Sequence, residues 1–172
     1  YYRPDGSPAS TEFTYTRLLV PYLNNHEEWA TFVDSDFLFT DDITNMWDDL
    51  MCNPKMDDYA VFCVKHLPYV PSNKTKFWGN IQHNFPRKNW SSLMVFNGRH
   101  PSTKKLTPLT VANQSPEWLH RFGWCKDSEI GSIRIHWNWL VGDYGIPDLM
   151  TPKALHYTNG GPWNDVWGQH YD

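Results

Sequence analysis

A chain of 172 residues, 40% of them hydrophobic, is long enough to bury a core of its own and reads as a single domain. Fifteen Lys and Arg against nineteen Asp and Glu leave a formal charge of −4, and no basic run offsets it, which excludes a nucleic-acid surface. No stretch approaches the roughly 20 apolar residues of a membrane span, and Cys52, Cys63 and Cys125 are too scattered for a disulfide framework or a zinc ribbon, so they fit reduced thiols in a cytoplasmic protein.

Ser10 or Thr11 is a helix N-cap candidate, followed by Phe13, Tyr15, Leu18, Leu19 and Tyr22 at roughly helical spacing. Pro21 and Asn24-Asn25 are expected to close that helix. The apolar run Trp29 to Phe39 reads as a buried strand that delivers Asp34 and Asp36 at its end. Asp41-Asp42, then Ile43, Met46, Trp47 and Leu50, predict a short amphipathic helix with acids at its start. Residues 59–65 read as a second buried strand, and 68–88, rich in Pro, Asn, Lys and Gly, as a long loop. A strand is expected over 89–97, short helices over 106–113 and 117–122, and another over 129–133. Residues 137–141 are a strand or an extended run; 154–157 are a last strand, followed by a turn over 158–162. The alternation predicts an α/β fold with a mixed, mostly parallel sheet flanked by helices. Ten Trp, nine Tyr and nine Phe make either a bulky core or platforms for the apolar faces of sugars.

Ionised carboxylates are rarely buried without partners. Two of them one residue apart at a strand end are the oxygen ligands of a hard divalent cation, Mn²⁺ or Mg²⁺, with phosphate oxygens filling the remaining positions. Ligands of open α/β sheets gather at such strand ends. The alternative is a pair of solvated loop acids. His156 stands at a second strand end and could complete a mixed ligand set, or be structural. Gly160 and Gly161 either let backbone N–H groups approach a diphosphate or simply make a turn. Arg17 could clamp a phosphate or form a surface ion pair. Asn89, Ser91, Ser92 and Asn97 bracket a strand, where they could bind sugar hydroxyls or cap turns. Asp127 and Glu129 could face a reacting sugar carbon or begin a solvated helix.

Five segments in order resemble the family-8-like glycosyltransferases of GT-A type. They are Thr11 to Pro21, Trp29 to Phe39 with the helix after it, Asn89 to Asn97, Asp127 to Gly131 with Trp137 to Leu140, and Leu155 to Trp163. The resemblance implies metal ligation by Asp34, Asp36 and His156. It also implies donor contact by Arg17, Ser35, Gly160 and Gly161, acceptor contact by Asn89, Ser91, Ser92 and Asn97, and catalytic roles for Asp127 and Glu129. The reaction implied is Mn²⁺-dependent (or Mg²⁺-dependent) transfer of a sugar from a nucleotide-diphosphate donor, a UDP-sugar, to a carbohydrate or glycoconjugate acceptor, with retention. Two departures stand out. Gly161 occupies the place where the family carries a Lys, so Lys74, Lys76, Arg87 or Lys88 is expected to supply the charge. The chain also begins after the family's N-terminal βαβ region, as a fragment or a reduced form would. A non-catalytic sugar- or nucleotide-binding remnant and a nucleotide-sugar hydrolase are the alternatives.

Overall fold

A computed structural model describes residues 14–67, 86–145 and 150–163. The proposed cap at Ser10 or Thr11 and the loop cations Lys74 and Lys76 lie outside the described residues. Seven strands are described: β1 (Trp29–Val33), β2 (Phe37–Phe39), β3 (Val61–Val64), β4 (Leu93–Asn97), β5 (Ile130–Ile133), β6 (Trp139–Leu140) and β7 (Ala154–His156). Four short helices join them: α1 (Val20–Leu23), α2 (Thr44–Met51), α3 (Pro108–Asn113) and α4 (Pro116–His120). None of these helices is long and apolar enough to cross a membrane.

The main sheet has the order β1-β4-β3-β5. β4 runs antiparallel to both neighbours, and β5 is parallel to β3. Every residue of β3 and β4 is buried. That burial explains their unbroken apolar runs, because successive side chains alternate between two covered faces. Val61, Cys63, Met94 and Phe96 join one core with Leu106, Leu119, Phe122 and Trp124. Phe62, Val64, Leu93 and Val95 join the other with Met46, Leu50, Ile133 and Trp137. Trp124, Trp137, Phe62, Phe96 and Phe122 are among the largest fully buried side chains, so much of the aromatic content is core.

The run from Trp29 to Phe39 does not remain one strand. The Asp34 N–H still donates to the Ser92 carbonyl at 2.9 Å, but Phe37–Phe39 leave the main sheet and pair with β7. A second, three-stranded sheet of order β2-β7-β6 results, antiparallel between β2 and β7 and parallel between β6 and β7. Asp34, Ser35 and Asp36 therefore form the junction between two sheets.

The α/β class with mixed sheets holds, although antiparallel pairs outnumber parallel ones among the described strands because β4 is inserted between β1 and β3. Residues 130–133 are a strand where a helix was expected. Ile130 and Ile133 favour extended backbone, and Gly131 lies against the Phe62 ring, where a Cβ would clash. Pro21 does not end a helix; it occupies the first turn of α1, where its missing N–H costs no bond. β4 starts at Leu93 rather than Asn89, since Asn89 is left-handed (φ 64°) and Trp90–Ser92 form a 3₁₀ turn. Of 137–141, Trp139–Leu140 are strand, preceded by a 3₁₀ turn over Ile135–Trp137.

Candidate metal centre

The sheet junction brings Asp34 and Asp36 against the end of β7. Phe37 pairs with His156 across the second sheet, and the Tyr157 N–H donates to the Asp36 carbonyl at 3.0 Å. Each of Asp34, Asp36 and His156 offers one ligand atom, and these atoms lie within 4.8 Å of one another. Two carboxylates and an imidazole at that spacing could hold a divalent metal ion.

The surroundings of the three side chains differ. His156 is 2% exposed and stacks on Phe37, with ring centroids 4.4 Å apart. Its Nε2 is 3.4 Å from Oδ1 of Asp36, too long for a good hydrogen bond. Oδ1 of Asp36 is buried and accepts no hydrogen bond among the described residues. Burial is the largest influence on Asp36 and pushes its carboxyl up, but the facing His156, the backbone and Arg17 together hold it below the ordinary carboxylate range. Asp34 moves the other way. Burial pushes its carboxyl up, the charge of Asp36 adds to that, and Arg17 only partly opposes them. A carboxylate that is hard to ionise beside a second one is a site that gains from added positive charge.

Among the described residues, Arg17 is the basic residue paired with Asp34. Its guanidinium grips both oxygens of Asp34, at 3.1 Å and 3.0 Å, donates to the Ser91 carbonyl at 3.0 Å and lies over the Phe32 ring. Arg87, a candidate for that charge, is engaged elsewhere: it pairs with Asp127, donates to the Arg121 carbonyl and stacks on Trp90. Lys88 is half-buried. Ser35 is exposed between the two aspartates. Gly160 has φ 101°, which only glycine adopts without strain, and Gly161 accommodates the Trp163 ring where a side chain would clash. Turn geometry and packing thus account for both glycines, four and five residues after His156.

The expected sugar-binding polar residues are mostly consumed by the scaffold. Ser91 Oγ pairs with His120 Nδ1 at 3.1 Å, and Ser92 Oγ donates to the Asn89 carbonyl at 2.7 Å; both serines are buried. Asn97 is at the end of β4 away from the aspartates. It pairs in register with Trp29, whereas Leu93 pairs with Val33 beside Asp34, a separation of about 13 Å along the strand. Its amide donates to the Tyr59 carbonyl at 3.3 Å and accepts from Arg99 N–H.

Asp127 and Glu129 make their contacts away from the three ligand side chains. The Glu129 carbonyl accepts from Ala60 N–H at the same end of the sheet as Asn97. Its carboxylate accepts from Ser102 Oγ at 2.8 Å and Lys126 N–H at 3.0 Å, closing a local turn. Asp127 is exposed and pairs with Arg87 rather than with any of the three ligand side chains.

Sequence reasoning missed Asn138, which is fully buried. Its Nδ2 donates to Ser92 Oγ at 2.9 Å, and its Oδ1 lies 2.9 Å from His156 Nδ1. An asparagine between Trp137 and Trp139, in a stretch otherwise apolar enough to bury, was the available signal. His66 was missed as well. It is 5% exposed and paired with the Tyr144 hydroxyl at 2.7 Å.

No protein-family model matches the chain. A curated relative, Protein CDI of Arabidopsis thaliana, is 45% identical over 170 residues. The alignment covers 97% of this chain, and the chain spans 63% of that protein's length. Three solved structures share the fold. Mouse xyloside xylosyltransferase 1 in its apo form aligns with a TM-score of 0.51 at 12% identity, covering 83% of this chain and 64% of that one. The apo WbbM bifunctional glycosyltransferase aligns at 0.57 with 18% identity, over 90% of this chain and 33% of that one. Galactosyltransferase LgtC, solved with donor and acceptor sugar analogues, aligns at 0.54 with 18% identity, over 95% of this chain and 67% of that one. The fold is therefore that of GT-A-type glycosyltransferases.

Proposed function

We propose that this chain is the metal-dependent catalytic region of a glycosyltransferase, moving a sugar from a nucleotide-diphosphate donor, such as a UDP-sugar, to a carbohydrate or glycoconjugate acceptor with retention. The observation that carries the reading is the convergence of Asp34, Asp36 and His156 at the junction of two sheets. These three side chains would hold Mn²⁺ or Mg²⁺, which supplies Lewis-acid stabilisation of charge developing on a departing diphosphate. Arg17 fixes the Asp34 carboxylate through both oxygens and adds positive charge at the same end of the sheet. Exposed Ser35 and the backbone around Gly160 are the groups through which the donor would be met.

A second reading is a binding module without turnover. The removal of Glu129 from the metal end favours it, because no candidate acid from the sequence then stands beside the three ligands.

The test is a panel of nucleotide-sugar donors with Mn²⁺ and candidate acceptors, scored for release of nucleoside diphosphate by wild type and Asp36→Ala. The expected result is release from one donor class that the variant loses by at least 100-fold, on the order of 3 kcal/mol of transition-state stabilisation. A new glycoside identifies transfer and free sugar identifies hydrolysis. Donor binding without any release supports the module, and full release by the variant rejects the metal assignment.

A further inference from the structure

The direction of one hydrogen-bond chain is fixed by its first member. The Asn89 carbonyl can only accept, and it takes the proton of the Ser92 hydroxyl at 2.7 Å. With that proton committed, Ser92 Oγ meets Asn138 as an acceptor. The group 2.9 Å away is therefore the Asn138 amide nitrogen, not its oxygen. The amide oxygen must then face His156, 2.9 Å from Nδ1. An oxygen without a proton requires Nδ1 to carry one, which in the neutral imidazole leaves Nε2 with its lone pair. That lone pair looks toward Oδ1 of Asp36, 3.4 Å away, itself a buried acceptor with no hydrogen-bond partner among the described residues. Two acceptors facing one point attract a cation. Stacking of the imidazole on Phe37 holds the ring plane, so only the tautomer remained to be set.

We infer that Asn138, anchored by Ser92, is a positioning residue that locks His156 in the Nδ1–H tautomer and presents Nε2 as a ligand atom to the cation site. The inference deepens the metal-dependent reading above and rests on it for the identity of the ligand. Neither residue touches the metal position; both act through His156. Ser92 and Asn138 also tie the two sheets together at this point, since Ser92 precedes β4 of the main sheet and His156 ends β7 of the second. Partners of this kind typically change metal affinity by 10- to 100-fold when removed.

The experiment combines two readouts on wild type, Asn138→Leu and Asn138→Asp. The first is the nitrogen NMR signature of His156 in metal-free protein at mildly alkaline pH, which distinguishes the tautomers without any metal or activity. Wild type is expected to show Nδ1–H, and the leucine variant to lose it. The second is Mn²⁺ affinity by electron paramagnetic resonance. The leucine variant is expected to bind about 10- to 100-fold more weakly, while the aspartate variant, whose carboxylate still accepts from Nδ1–H, stays within a few-fold of wild type. An Nε2–H tautomer in wild type overturns the inference, even if the leucine variant fails to fold. So does a folded leucine variant that binds Mn²⁺ as tightly as wild type, or an aspartate variant as weak as the leucine one. Wild type that shows Nδ1–H but takes up no Mn²⁺ rejects the metal assignment and upholds the tautomer lock.

Discussion

Two histidines outside the candidate metal centre, buried His66 and half-buried His120, hold protons weakly. Burial pushes the His66 imidazole down to about 4. Burial and then Arg17 bring His120 to about 4 as well, against a small opposing effect of Glu117. Each ring has Nδ1 engaged, His66 with the Tyr144 hydroxyl and His120 with Ser91 Oγ. A folded-state value below the unfolded one, near 6.5, means that the unfolded chain takes up protons first. Stability is therefore full above about 6.5 and falls as the pH drops toward about 4, below which these residues add no further loss. The loss is on the order of 3 kcal/mol for His66 and smaller for the less buried His120. Urea unfolding across this range checks it: His66→Gln should flatten part of the decline. A decline of unchanged slope in that variant would assign the pH dependence to other groups.

At the scale of elements, the fold depends on where strands may lie close. β5 joins the edge of β3 through parallel pairing from Val61–Ile130 to Val64–Ile133. Gly131 lets that strand pass the Phe62 ring. Phe62 is itself fully buried as a member of the second core, so the ring cannot retreat. Gly131→Val should cost about 1–3 kcal/mol by overpacking, seen as a lower denaturant midpoint. An unchanged midpoint would mean that the ring has room to move. This strand was illegible in the sequence, because Glu129-Ile-Gly-Ser-Ile133 carries no clear period and a glycine that weakens either assignment. The short helices were easier to read, since Thr107 and Ser115 each cap a turn that opens with proline. The break in the run from Trp29 to Phe39 was hidden for another reason. Both halves are strand, and only the partner of each half, β4 or β7, distinguishes them.

For the whole molecule, two cores on either side of one sheet set a rigid frame, and the candidate metal ligands collect where the chain steps from that sheet to the next. Asp34, Asp36 and His156 could be found from sequence because their residue types declare their chemistry and because strand ends are where such groups gather. The supporting residues could not. Asn138, Ser91 and Ser92 owe their roles to partners 18, 29 and 46 positions away in the chain. Asn97 and Glu129 were placed by residue type alone: each lies at a strand end, but at the opposite end of the sheet from the aspartates, which register alone reveals.

A divalent cation at the sheet junction would show itself in anomalous diffraction from crystals of this protein equilibrated with Mn²⁺. A manganese peak is expected within coordination distance of one carboxylate oxygen each of Asp34 and Asp36 and of His156 Nε2, and is expected to be absent from Asp36→Ala crystals. A peak elsewhere, or none at saturating Mn²⁺, would contradict the metal assignment.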